Sequence, residues 1–287
     1  MRRPDMPFKT PLPDSELTLN DRDFSCIAKT VHLLTGIVLA EAKRPMVHSR
    51  LIKRLRALDL QSFSAYADFI SEGGSESERL ELISAVTTNV TAFFREQHHF
   101  DTLATKVFPA LIDKAQSGGR IRIWSAGCSS GEEPYSIAAT LLAVFPEVHR
   151  YDVRILATDI DRMMIEKARC GIYPPEAALG LAPDIVRHLF AEGKLGEPRK
   201  INEKLKRLVS FKRLNLNESW PMTGRFDVVF CRNVVIYFDK PTQEALWQRF
   251  AKFLVPDGLL MIGHSERITG TALSVFCTEG MTAYRRR

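Results

Sequence analysis

The sequence predicts an α/β fold in two parts: an all-helical N-terminal domain, then a doubly wound parallel sheet domain carrying a small inserted β-subdomain. Three observations predict it. No strand-like run precedes Arg120, strands alternate with helices after the polar joint "QSGGR" (116–120), and one stretch, about 171–208, breaks that alternation. The 287 residues leave room for two domains. A composition 45% hydrophobic and 26% charged is ordinary for a soluble globular chain.

Residues 1–20 begin "MRRPDMPFKTPLPDSE" and are expected to form a flexible, proline-rich arm. Their basic residues have no apolar core behind them, so they do not read as a signal peptide. Residues 21–88 form the expected helical domain. "FSCIAKTVHLLTGIVL" sets Ile27, Val31 and Leu34 at helical spacing, with Gly36 as the stop. "PMVHSRLIKRLRALDL" puts Leu51, Leu55 and Leu58 on one stripe and Arg50, Lys53, Arg54 and Arg56 over much of the remainder. "FSAYADFI" continues helical, and the serines of "SEGGSESE" can cap the helix that holds Leu80 and Ile83. Residues 89–119 are expected as a linker and connecting helix.

From 120 to 287 the pattern is that of the sheet domain. "RIRIW" is a strand, and "EEPYSIAATLLAVF" a helix with Pro134 in its first turn, where a missing N–H costs nothing. "DVRILATDI" and "DRMMIEKAR" repeat the pair. The stretch 171–208 follows, with a proline-rich turn, the short helix "APDIVRHLF" and the basic "KINEKLKRL". A third strand "FDVVFC", the helix "PTQEALWQRFAKFL", a fourth strand "DGLLMIG" and a last one in "MTAYRRR" complete the domain.

A net charge of +6 and a pI near 9.1 favour anionic partners without choosing among nucleic acid, acidic protein and membrane surface. The best apolar run, Leu33 to Ala40, contains Thr35 and Gly36 and falls well short of the ~20 residues that span a bilayer. The five cysteines show no C-x-x-C or zinc spacing and read as free thiols. Neighbours on a helix, His98 and His99 should point in different directions. No metal is expected.

The chemistry concentrates at the strand ends, where open α/β sheets bind ligands. The first strand ends in "SAGCSSGEEPYS", the second at Asp159, the third in "CRNVVIYF" with Arg232, Asn233 and Tyr237. The first turn has Gly127 and Gly131 but no G-x-G-x-x-G. Asp159 lies 32 residues beyond Gly127, against the ~20 of a compact dinucleotide site. A carboxylate at Glu132 would repel a pyrophosphate and attract a cation such as the sulfonium and α-amino groups of S-adenosylmethionine. At ~4 Å and an effective dielectric near 20 that attraction is on the order of 4 kcal/mol before desolvation. Spacing alone supports equally well that Glu132 and Glu133 merely favour the helix dipole.

"TNVTAFFRE" (88–96), "WSAGCSSGEEPYSIA", "ATDID" and "FDVVFCRNVVIYF", in this order and spacing, resemble the CheR-type chemotaxis receptor methyltransferases over nearly the whole chain from about Asp23. The resemblance implies a Rossmann-like S-adenosylmethionine-dependent methyltransferase sheet domain behind the helical one. It implies transfer of methyl groups to glutamate side chains of chemoreceptors, giving glutamyl 5-O-methyl esters for sensory adaptation, with S-adenosylhomocysteine as product. Carried over residue by residue, Asn89, Thr91 and Arg95 would reach the methionine end of the cofactor and Glu132 its amino-acid portion. Asp159 would hold the ribose hydroxyls, Asn215 and Leu216 would border the adenine, and Arg232 and Asn233 would close the pocket. Leu216 also reads as plain core, and Asn89 or Thr91 as helix caps. For Glu133 the expected role is helix-dipole pairing.

A glutamate acceptor is already ionised at pH 7, its usual pKa being ~4.3, so no catalytic base is required. Alignment and controlled desolvation supply the advantage. Arg95 and Tyr237 are the candidates for orienting the incoming carboxylate, Tyr237 reading equally well as a packed structural tyrosine. Arg50, Lys53 and Arg54 would dock the Glu-rich cytoplasmic helices of methyl-accepting chemoreceptors, although a solvated helix face is the plainer reading. The insert, with Lys200, Lys204, Lys206 and Arg207, is the second docking surface; some family members bind a receptor C-terminal peptide there. A cytoplasmic monomer recruited to membrane receptor arrays, with no nucleic acid and no membrane insertion, is expected. An RNA methyltransferase is disfavoured because the basic residues are not interleaved with aromatics. A non-catalytic relative is disfavoured because all four motifs are intact.

Overall fold

The computed structural model describes residues 17–194 and 196–287. Residues 1–16 of the expected arm lie outside the described residues. Its last four are not an arm, since Leu17 and Leu19 are buried and Asn20 caps the first helix. The chain divides into two compact units, Met1–Thr87 and Thr88–Arg287.

In the first unit, α1 (Asp21–Thr35) starts where Asn20 Oδ1 accepts the Asp23 N–H at 2.9 Å. It stops at Gly36, whose φ of 76° and N–H bond to His32 O form the expected terminator. α2 (Arg44–Ala57), α3 (Phe63–Ser71) and α4 (Glu76–Val86) follow, with Ser62 and Ser75 as the caps of the last two. Ile27, Val31, Leu51, Leu55, Phe63 and Leu82 form the buried stripes. The basic face of α2 is partly consumed within this unit. Arg54 grips the buried Glu78, which also accepts from Tyr66 Oη at 2.9 Å, and reaches Glu81 at 3.2 Å. Arg50 Nη1 donates to the carbonyl of Ala85 in α4, at 3.2 Å, and to that of Thr87 just after it. Lys53 is exposed.

The second unit opens with one helical run built of α5 (His98–Thr102), a π-helical turn (Leu103–Val107) and α6 (Phe108–Gln116). Phe93, Phe94, Phe100 and Leu103 lie in this unit's core, so the stretch read as a linker is part of the sheet domain. The elements after it are β1 (Ile121–Ala126), α7 (Glu132–Val144), β2 (Val153–Asp159) and α8 (Arg162–Cys170). The insert comprises β3 (Ile172–Tyr173), α9 (Pro183–Leu189), β4 (Arg199–Lys200) and α10 (Glu203–Leu208). β3 and β4 form a two-stranded antiparallel sheet, extended by a Phe190–Ile201 bridge. β5 (Val209–Arg213), β6 (Phe226–Cys231), α11 (Lys240–Phe253), β7 (Leu254–Ile262), β8 (Phe276–Gly280) and β9 (Ala283–Arg286) complete the unit.

The seven-stranded sheet runs β5-β2-β1-β6-β7-β9-β8. Two features depart from the expected parallel sheet and its predicted strands. β9 lies antiparallel between β7 and β8, and β5 is an unforeseen parallel edge strand beside β2. β5 is short and ends in exposed Lys212 and Arg213, which hide its strand character and also protect an edge from pairing. Succession along the chain moves from β1 through β2 to β5, then returns to the other side of β1 with β6. The switch point therefore falls between β1 and β6, and the ligand crevice lies beyond their C-terminal ends.

Candidate functional site

The turn after β1 depends on its glycines. Gly127 has φ 81°, and a Cβ there would lie 2.3 Å from Val234 Cγ2; Gly131 has φ 99°, and a Cβ would meet Ala168 Cβ at 2.8 Å. The N–H groups of Gly127 and Cys128 donate to Thr158 O at 2.8 and 2.9 Å, folding the loop over the end of β2. Asp159 completes the attachment: Oδ2 accepts from Ser129 N at 2.7 Å and Oδ1 from Asp161 N at 2.9 Å. Burial pushes the Asp159 carboxyl up to about 6 despite those N–H groups.

Residues from other elements join this loop. Asn89 Nδ2 donates to Asp161 Oδ2 at 2.8 Å, and Asn89 O accepts from Ser129 Oγ at 3.0 Å. Asn89 is thus an anchor rather than a helix cap, and Thr91 beside it is half-buried. Leu214 N bonds Asp159 O at 2.9 Å, which brings the end of β5 alongside. Asn215 and Leu216 are both buried there. The Asn215 amide bonds Glu218 Oε1 and Asn217 N, each at 3.0 Å, and Leu216 O accepts from Arg249 at 2.7 Å.

The paired glutamates have separate roles. Glu132 is buried at the α7 start and accepts from Ser130 Oγ at 2.7 and 2.9 Å. Burial pushes its carboxyl up against that hydroxyl. Glu133 turns the other way, accepting from Ser125 Oγ at 2.7 Å and from Arg232 Nη1 at 3.1 Å. Glu133 lies in the first turn of α7, as dipole pairing requires, and in addition ties β1 to the arginine at the end of β6.

Arg232, 6% exposed at the end of β6, is a hub. Besides Glu133 it meets Glu96 Oε2 at 3.3 Å, donates to Arg95 O, and lies 6.0 Å from the Phe100 ring centroid. It ties the "FFRE" segment to the sheet. Burial resists ionisation of Glu96, but His264, at 2.9 Å, and Arg232 outweigh it and hold the carboxyl down to about 2. The Arg95 side chain is half-buried and donates to Val90 O at 3.1 Å. His98 and His99 do not diverge, their ring centroids being 4.2 Å apart. Both Nε2 atoms meet Thr282 Oγ1, at 3.5 and 2.8 Å. Burial and the Arg232 charge push His99 down to about 3, so that ring is neutral. With Glu96 the two histidines could group around an ion, but the Arg232 cation already lies against the Glu96 oxygen nearest His99.

Asn233 follows with φ 58°, and a short turn (Val235–Tyr237) sets Tyr237 half-buried. Glu266, from "GHSE" after β7, binds this turn with its carboxylate. Sequence reasoning missed Glu96 and Glu266; an acidic residue just past the fourth predicted strand was the available signal.

The arrangement suits a ligand with positive charge and hydroxyl groups. Asp159 and Glu132 are each 8% exposed, and among the described residues neither is in a salt bridge. Two buried carboxylates resisting ionisation beside a glycine turn would be relieved by a cation and would oppose a pyrophosphate.

Comparisons with known proteins agree. The model of the CheR methyltransferase, SAM binding domain, matches residues 89–284, and that of the CheR methyltransferase, all-alpha domain, matches residues 22–87. A probable chemotaxis protein methyltransferase of Rhizobium etli is 48% identical over 87% of this chain and 94% of its own length. The chemotaxis protein methyltransferase of Salmonella typhimurium is 41% identical over 93% and 91% respectively. Chemotaxis protein methyltransferase 2 of Pseudomonas aeruginosa is also 41% identical, over 97% and 99%.

Proposed function

The chain belongs to the CheR methyltransferase family, an enzyme family that uses S-adenosylmethionine, and from that premise we propose that its methyl acceptors are glutamate side chains of chemoreceptors. The products are glutamyl 5-O-methyl esters and S-adenosylhomocysteine, and the role is sensory adaptation. The pair of buried carboxylates, Glu132 and Asp159, flanking the glycine turn at the switch point supports the donor side of this reading, and the likeness to chemotaxis protein methyltransferases supports the acceptor side.

S-adenosylmethionine supplies an electrophilic methyl group when bound. The chain's residues bind and orient. Asp159 has acceptor capacity beyond its two backbone bonds for ribose hydroxyls. Glu132 takes the amino-acid portion, Asn215 and Leu216 border the base, and Asn89, Thr91, Arg95 and Asn233 complete the methionine end. Arg232 acts there through Arg95 O and the two glutamates it holds. Arg95 and Tyr237 orient the acceptor carboxylate, which arrives ionised.

Docking of acidic receptor helices falls to Lys53 and Arg56 on α2 and to Lys200, Lys204 and Arg207 of the insert, all exposed. Arg50 and Arg54 shape the α2 face through their partners on α4. The insert is the surface for a receptor C-terminal peptide. No helix among the described residues is long and apolar enough to cross a membrane. The proposal places a monomeric enzyme in the cytoplasm, recruited to receptor arrays by these contacts.

Incubation with tritiated S-adenosylmethionine and receptor-containing membranes should give base-labile radioactive methanol. Label in RNA, or no labile ester, overturns the reading. Tyr237→Phe should lower turnover about tenfold, the worth of roughly 1.4 kcal/mol from one transition-state hydrogen bond. Its affinity for S-adenosylhomocysteine should be unchanged.

A pH dependence follows from Asp159. Its ionised form is the better hydroxyl acceptor, and its carboxyl sits at about 6 in the free protein. Affinity for S-adenosylhomocysteine should be level above that pH and weaken about tenfold per unit below it. Calorimetric titrations from pH 5 to 8 check this; a flat profile removes Asp159 from the ribose site.

A further inference from the structure

Glu266 is 4% exposed, and its carboxylate accepts four backbone N–H groups. Oε1 takes Val234 at 3.0 Å and Val235 at 2.8 Å. Oε2 takes Asn233 at 3.0 Å and Gly263 at 2.6 Å. The glutamate is itself fixed, since its own N–H bonds Gly263 O at 2.9 Å.

What the clamp holds is unusual. Asn233 has a left-handed backbone, φ 58°, which side chains other than glycine disfavour. It lies between the hub arginine and Val234, whose methyl groups fill the space against Gly127. A Cβ on Gly263 would stand 2.6 Å from Asn233 Nδ2, so the bare glycine lets the amide lie against the end of β7. Three successive N–H groups, 233 to 235, end on one side chain. Two residues later the same turn delivers Tyr237.

We propose that Glu266 is a positioning residue for methyl transfer. Its carboxylate fixes Asn233 in the left-handed conformation and sets the turn that carries Tyr237, so both side chains are placed before any ligand arrives. The proposal rests on the roles given above to Asn233 and Tyr237. Both carboxylate oxygens are needed, because each receives two donors. A glutamine keeps one acceptor and turns N–H groups toward the other pair.

The test compares E266Q and E266D with the parent, alone and combined with Tyr237→Phe. E266Q should lower kcat by about tenfold or more, with a smaller change in the KM for S-adenosylmethionine. The shorter E266D keeps two oxygens and should recover part of the loss. In the Tyr237→Phe background E266Q should cost less than it does in the parent, because part of its effect passes through that residue and the rest through Asn233. The backbone amide proton signals of residues 233–235 should move upfield in E266Q. A folded E266Q with parental kcat and unmoved amide signals overturns the proposal. So does a loss of activity that merely multiplies with that of Tyr237→Phe, or that follows the unfolded fraction alone. Absence of methyl ester with the parent protein would instead sink the acceptor reading. The amide signals and S-adenosylhomocysteine affinity of E266Q, measured without any acceptor, would then decide whether Glu266 positions Asn233.

Discussion

An Arg232→Ala variant should unfold about 3–5 kcal/mol more easily than the parent at pH 7, the largest stability effect expected from any single change near the crevice. The reason is the company the guanidinium keeps. Its side chain is 3% exposed, and it is the cation for Glu96 and Glu133, each 12% exposed. Removing it leaves two largely enclosed carboxylates without their cation, only one of them near a histidine. The lost contact with Arg95 O also frees the segment that carries Arg95, so donor affinity should fall with stability.

The pH dependence of that loss identifies its cause. In the parent, Glu96 sits at about 2, below the ordinary glutamate value of 4.5. A depressed carboxyl contributes stability above the unfolded-state value and loses it as pH falls through the folded-state value. The gap between parent and variant should therefore be widest at pH 7 and narrow as pH falls toward about 2, beginning above 4.5 because burial already raises the Glu133 carboxyl in the parent. Denaturant unfolding across that range measures it. A gap independent of pH would assign the effect to packing alone.

Asp159→Asn should do the reverse, impairing binding far more than stability. Affinity for S-adenosylhomocysteine should fall about 100-fold, the worth of a charged acceptor at roughly 1.5–3 kcal/mol per bond. Stability at pH 7 should change little. Folding raises the Asp159 carboxyl from 3.8 to about 6, so its ionised form opposes the folded state by about 3 kcal/mol. Losing that charge offsets the ~1–3 kcal/mol for misfitting one of its two backbone donors. The parent should lose more stability than the variant as pH rises from 3.8 to about 6. At pH 4 the variant should be the less stable of the two. A variant much weaker at pH 7 but tight in binding would show that Asp159 serves the loop and not the ligand.

Much of the fold could be read locally. The Ile27–Val31 stripe, the Gly36 stop and the Ser75 cap depend on residues within one or two helical turns, and all three stand in the structure. β1 was visible by its alternation, and β2, β6 and β7 as apolar runs because buried parallel strands are largely apolar on both faces. β5 was not, since its exposed side chains break the run. The phenylalanines at 93 and 94 looked like linker because nothing local says which core will receive them.

The site divides the same way. Strand-end reading located Glu132, Asp159, Arg232, Asn233 and Tyr237, because a doubly wound sheet puts its ligands at those ends whatever the packing around them. The two-domain α/β class and the glycine turn were set by local spacing, whereas for Glu132 spacing supported a cationic ligand and the helix dipole equally. Partnership was not set locally. Glu133 and Arg232 are 99 positions apart, Glu96 and His264 168, and Val234 and Glu266 32. Hydrogen bonds over such separations leave no periodicity in the chain. Which acid holds an arginine, which meets a ligand and which clamps a turn depended on how β1, β6 and β7 lie side by side.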